Sequence, residues 1–296
     1  MSQLLDAQTA YRLTNRYVFL EVAPWRAMAD GADPIDGSIP DAVDTSVKDD
    51  FAGRPTATSG HLPLPAVGDL HAALHARGVR PTDDIVVYTR RVEELSSATR
   101  AWFTLTWAGY PSVRVLNGGL QAWVAAGGVT EHLRNAEPTA ARSAPEAPAG
   151  AADPPRSAGV RILHATEVLD ISEYGTLLDG RPAAAYHGYT DDPRSGHVPH
   201  AVHAHSAELI APDGRLHRAT DLRKWFLHRR SIGGHQVGAY CGGGVSSSLL
   251  VFAAAVIGQP IGLYVGSWSA WSADPNLPVE QGAALSRSPL LDTDCA

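Results

Sequence analysis

Gly37-Ser-Ile-Pro-Asp-Ala-Val43 is answered by Gly196-His-Val-Pro-His-Ala-Val202, and the chain reads as a repeat of itself. Three further pairs follow. Leu20-Glu-Val-Ala23 aligns with Leu178-Asp-Gly-Arg181, and Ile85-Val-Val-Tyr-Thr89 with Val237-Gly-Ala-Tyr-Cys241. Leu116-Asn-Gly-Gly-Leu-Gln-Ala-Trp123 aligns with Tyr264-Val-Gly-Ser-Trp-Ser-Ala-Trp271. The spacing within the pairs drifts only slowly, and the period is far too long for a solenoid. Two copies of one domain is the simple reading. Between them, Glu137 to Arg156 is mostly Ala and Pro. Such a segment cannot bury enough surface to fold. The expected division is an N-terminal domain over 1–134, a linker over 135–158 and a C-terminal domain over 159–296.

Within each copy, short apolar runs alternate with helical patterns. Thr176–Asp179 reads as a buried strand, and Ala219–Arg230 as an amphipathic helix with Leu222, Trp225 and Phe226 on one face. Gln236–Tyr240 is a strand, and Ser246–Ile257 is a helix that its serines are expected to cap. Ile261–Val265 begins a further strand just after Pro260. This alternation predicts an α/β fold, each copy a mainly parallel sheet flanked by helices. Ligands then gather at the carboxyl ends of the strands.

Composition narrows the function. The 296 residues carry a net charge of −7 and are 44% hydrophobic and 19% charged. No basic stripe marks a nucleic-acid partner. The longest apolar run, Leu249–Ile257, is far short of the roughly 20 residues of a membrane span, and the N-terminus has no signal-peptide core. Two cysteines, one of them Cys295, make no disulfide framework. The expectation is a reduced, cytoplasmic protein.

One of those cysteines sits where chemistry belongs. Cys241-Gly-Gly-Gly-Val-Ser246 follows a strand and opens a helix. Successive N–H groups and a helix N-terminus form a nest for an anion, and Gly242, Gly243 and Gly244 permit the dihedrals it needs. Such a loop favours the reactive thiolate. It suits attack on phosphate, carriage of a sulfane sulfur as a persulfide, or mere packing in a tight turn. The phosphatase pattern wants an arginine six residues after the cysteine, where this chain has Ser247. The other copy has Thr89 in place of the cysteine and lacks the glycines, as one working and one supporting domain would.

Loop, repeat and flanking segments together resemble the tandem-domain rhodanese superfamily of sulfurtransferases, the thiosulfate and 3-mercaptopyruvate enzymes. The segments include Asp36-Gly-Ser-Ile-Pro-Asp-Ala-Val43, Arg100-Ala-Trp102, Leu178-Asp-Gly-Arg181 and Tyr264-Val-Gly-Ser-Trp268. The resemblance implies an inactive first domain and a second that carries the persulfide on Cys241, with Gly242, Gly243, Gly244, Val245 and Ser246 as its cradle. Thiosulfate-using members carry cations after the cysteine. This chain has glycines there and so resembles the mercaptopyruvate type, although Gly243 stands where that type has serine. Of the two arginines that bind mercaptopyruvate, one position holds Ala185, and Arg194 fits the other. His61 matches a histidine facing the site across the domain interface.

The implied activity moves sulfane sulfur from a small anionic donor, leaning to 3-mercaptopyruvate, to cyanide, a thiol or a sulfur-carrier protein. Thiosulfate as donor is the near alternative, and a weakly active sulfur-binding or regulatory module is the alternative of another class. No cofactor is implied. His197, His200, His203 and His205 are dense enough to weigh as metal ligands, but His197 falls in the structural Gly-His-Val-Pro turn, and no metal is expected.

Overall fold

The computed structural model describes residues 3–25, 35–131 and 159–283. The Ala/Pro segment and Cys295 lie outside the described residues. Chain order runs β1 (Leu4–Leu5), α1 (Ala7–Arg12), β2 (Val18–Ala23), β3 (Val43–Ser46), α2 (Val67–Ala76), β4 (Ile85–Tyr88), α3 (Leu95–Trp107), β5 (Val113–Leu116) and α4 (Gly119–Ala125). The second half repeats it with one added helix, α6: β6 (Arg161–Ile162), α5 (Ala165–Tyr174), β7 (Thr176–Asp179), α6 (Ala183–His187), β8 (Val202–His203), α7 (Ala219–His228), β9 (Val237–Tyr240), α8 (Ser246–Val256), β10 (Gly262–Leu263) and α9 (Ser267–Trp271). The strands form two five-stranded sheets, ordered β1-β5-β4-β2-β3 and β6-β10-β9-β7-β8. Every pairing in both is parallel. The two orders are the same permutation.

The repeat extends to single hydrogen bonds. Glu21 faces Tyr88 across β2 and β4, and Asp179 faces Tyr240 across β7 and β9. Each tyrosine hydroxyl accepts the N–H of a turn residue, Ile39 at 3.2 Å and Val198 at 3.0 Å. Each buried carboxylate pairs with an arginine, Glu21 with Arg90 and Asp179 with Arg181. Trp123 Nε1 donates to Val129 O, and Trp271 Nε1 to Pro278 O. Gly37 and Gly196 both have positive φ, with a backbone carbonyl pressed where a Cβ would sit, so only glycine fits. The duplicated motifs are thus a duplicated hydrogen-bond scaffold.

The halves are joined through helices. Trp102 of α3 packs edge-on against Phe252 of α8 with centroids 4.9 Å apart, and Thr99 and Ser248 hydroxyls lie 3.1 Å apart. α8 is apolar nearly all round, as a helix buried between its own sheet and a neighbour must be. One continuous core cluster runs from Leu20 in the first sheet to Leu178 and Leu263 in the second. The strand expected over Ile261–Val265 pairs only at Gly262–Leu263, because the chain then turns to approach the cysteine loop. The expected serine cap of α8 is absent: no side chain caps its N-terminus, and the serines turn to other partners.

Candidate active site

Cys241 is the first residue beyond β9, at the carboxyl edge of the second sheet. It is 2% exposed. Its backbone is stitched to the start of α9. Cys241 N–H donates to Ser267 Oγ at 3.2 Å, Trp268 N–H to Cys241 O at 2.9 Å, and Ser269 N–H to Gly242 O at 3.0 Å. Ser267 holds φ at 52°, a left-handed conformation that costs a non-glycine residue of order 1–3 kcal/mol. The strained serine thus fixes the cysteine in place.

Two donors reach the sulfur. Gly244 N–H lies 3.2 Å from Sγ, and the Ser247 hydroxyl 3.3 Å. Gly244 has φ of 82° and leaves no room for a Cβ beside Val265 O and Arg100 Nη1. Gly242 and Gly243 differ. Neither has positive φ; nothing lies within 4 Å of a Cβ added at Gly242, and one at Gly243 would meet His61 Cβ at 3.8 Å. Glycine is therefore required at one position of the loop and optional at two. Val245 is buried and Ser246 half-buried at the helix start.

Arg100, from α3 of the first half, lies fully buried behind this loop. Its guanidinium donates to Gly244 O at 3.3 Å, Phe51 O at 3.2 Å, Leu62 O at 2.9 Å and Pro63 O at 3.3 Å. Burial pulls its pKa down to about 10, opposed only by the nearby Cys241. A buried cation held by neutral carbonyls is costly unless an anion comes close, and it adds positive potential behind the sulfur.

His61 is exposed on the other side, anchored by its N–H on Ser269 Oγ at 3.0 Å. Asp49 and Asp50 serve Ser46 and Arg77. Beside the loop opens a cavity of about 330 Å³ lined by Arg181, Ala185, Tyr189, Arg194 and Trp268, among others. Arg194 lines it, but not as the free side chain pictured from sequence. Its guanidinium donates to Trp271 O, Ser272 O, Asp274 O and Leu277 O, tying down the end of α9. Arg181 pairs with Asp179, donates to Gly196 O and stacks over Trp268 at 4.4 Å.

His197 and His203 pack around Tyr186 and turn ring nitrogens to backbone carbonyls. His197 stacks on Tyr186 at 3.9 Å with Nδ1 against Tyr186 O, and His203 Nε2 meets Arg181 O. No group of three metal-ligating side chains occurs among the described residues. In the first half, the residue equivalent to the cysteine, Thr89, turns its hydroxyl to Arg91 O. Sequence reasoning left out Ser247 and Arg100. The sequence presents Ser247 as a missing arginine and one of the serines expected to cap α8, although its place in the first turn of α8 brings its hydroxyl to the sulfur. Arg100 was part of a motif, without a signal that it crosses the interface.

Similarity to known proteins agrees with this architecture. The model of the rhodanese-like domain matches twice, at residues 2–126 and 164–274. SseB of Mycobacterium tuberculosis (strain H37Rv), which carries a provisional thiosulfate sulfurtransferase name, is 34% identical over 84% of this chain and 85% of its own length. The 3-mercaptopyruvate sulfurtransferase of Escherichia coli K12 is 31% identical over 83% of this chain and 84% of its own. The crystal structure of SseA from Escherichia coli superposes with a TM-score of 0.70 at 25% identity, covering 91% of this chain and 100% of that one. EanB in complex with ergothioneine has a TM-score of 0.77 at 22% identity, over 96% of this chain and 71% of its own, and shares the fold. With two rhodanese-like domains and relatives of this kind, the chain belongs to the rhodanese family and is a sulfurtransferase of the thiosulfate/3-mercaptopyruvate type.

Proposed function

We propose that Cys241 carries the transferred sulfur as a persulfide. The observation behind this reading is the sulfur's environment: a backbone N–H and a hydroxyl within 3.3 Å, a helix N-terminus, and the Arg100 charge behind the loop. Together they favour negative charge at this atom. In the first half-reaction the Cys241 thiolate attacks the donor's outer sulfur. The donor's bond to that sulfur breaks, and its electron pair leaves with pyruvate enolate or sulfite. In the second, an acceptor nucleophile attacks the outer sulfur and the Cys241 thiolate departs. This is covalent catalysis with ping-pong kinetics.

Gly242, Gly243, Gly244, Val245 and Ser246 form the cradle of the persulfide. The donor lies in the cavity with Ala185 and Trp268, under the fixed charge of Arg194, while His61 stands next to Gly243 of the loop. The bare glycines at 242 and 243 favour mercaptopyruvate over thiosulfate, whose dianion would want a cation there. Mass spectrometry after donor treatment should find one added sulfur atom on the Cys241 peptide. No adduct with either mercaptopyruvate or thiosulfate would overturn the reading, whereas an adduct without thiocyanate formation from cyanide would favour a sulfur-binding module.

A further inference from the structure

The Ser247 hydroxyl is fully buried, and among the described residues its hydrogen-bond partner is Cys241 Sγ at 3.3 Å. Buried polar groups in native proteins are almost always hydrogen-bonded, and here the sulfur supplies that bond. The neighbouring serines show the contrast. Ser248 donates to Val245 O at 2.6 Å, the ordinary fate of a hydroxyl in a first helical turn, while Ser246 is half-buried. The helix does not use the Ser247 hydroxyl, because no side chain caps α8.

We infer that Ser247 is a catalytic residue whose O–H donates to Cys241 Sγ whenever that atom carries negative charge. The inference rests on the persulfide reading. In the free enzyme the hydroxyl holds the thiolate. In the persulfide the charge moves to the outer sulfur and Sγ becomes a neutral sulfide. When the acceptor attacks, a bond forms between acceptor and outer sulfur, the S–S bond breaks, and the electron pair returns to Sγ. Ser247 then meets returning charge, as a donor aimed at a developing anion does. No proton leaves the serine in either half. Other charged or titratable groups near the sulfur are Arg100 from α3, Arg181 and Asp179 at the end of β7, Tyr240 before the cysteine and His61 across the interface. All of them are unchanged by a substitution at Ser247.

The test is Ser247→Ala, with Ser247→Thr as the conservative control. Iodoacetamide alkylation is followed on the Cys241 peptide by mass spectrometry, which separates it from Cys295. At neutral pH the rate should fall about ten-fold in Ser247→Ala, as expected for losing one hydrogen bond to a charged group. At strongly alkaline pH, where any thiol is ionised, it should match the parent. Protein preloaded with sulfur should discharge to cyanide about ten-fold more slowly in a single turnover. Ser247→Thr should retain most of both rates. Parent-like alkylation and discharge in a folded Ser247→Ala protein would overturn the inference. Because alkylation needs no sulfur donor, it reads Ser247 even if Cys241 fails to load, which would instead defeat the persulfide reading.

Discussion

The two halves share a sheet order, a buried carboxylate–tyrosine–arginine set and a tryptophan latch, yet they part company within one residue of a strand end. After Tyr240 comes Cys241 and a glycine loop that turns the Gly244 N–H toward sulfur; after Tyr88 comes Thr89, followed by two arginines held by carboxylates. The difference teaches that the fold and the chemistry occupy separable parts of the sequence. Conserving Glu21 with Tyr88 and Asp179 with Tyr240 keeps both sheets in register, and leaves the next residue free to diverge.

Exchanging the diverged residues tests this separation most severely. Cys241→Ser should reduce sulfur transfer at least ~10³-fold, since covalent catalysis loses its nucleophile. Thr89→Cys should acquire no sulfur on mass analysis, because the first half lacks the cradle. A sulfur adduct at position 89 would break the comparison. Within the loop the required glycine can be told from an optional one. Gly244→Ala places a side chain at positive φ against Val265 O and should lower stability by about 1–3 kcal/mol in denaturant titration, with activity falling alongside it. Gly243→Ser fits in ordinary contact with His61 and should leave stability within about 0.5 kcal/mol. It restores a hydroxyl at the mouth, and kcat with mercaptopyruvate should rise several-fold while thiosulfate turnover does not.

The smallest effect concerns acid. His197 occupies the turn position where the first half has Ser38, and burial lowers its pKa from 6.5. The unfolded chain binds that proton more readily, so stability is complete above pH 6.5 and declines as pH falls from there toward the depressed folded value. His197→Ser should flatten the fall in Tm between pH 7 and 5. An unchanged slope would mean that His197 makes no such contribution.

Much of this was legible in the residues. The repeat predicted the paired sheets because turn glycines and strand cores are local requirements, readable without coordinates. Cys241 and its loop stood out for the same reason. What was hidden depends on side-chain direction or on distant parts of the chain. Arg194 has the sequence position of an anchor, yet carbonyls contributed from 271–277 engage it. Ser247 looked like a helix cap, and only the curvature of the loop shows its hydroxyl facing sulfur. Arg100 reaches Gly244 across 144 residues of chain, a contact that no local pattern announces.

That last contact bears on how such a protein evolves. A duplicated gene usually leaves one copy free to decay once the other suffices. Here the first half extends a charged side chain into the wall around Cys241 of the second, and carbonyls of its own loop hold the head group in place. Deleting it would remove part of the surviving site. The two halves are thus no longer independent units: the wall around Cys241 is drawn from both, and neither could be removed without opening it.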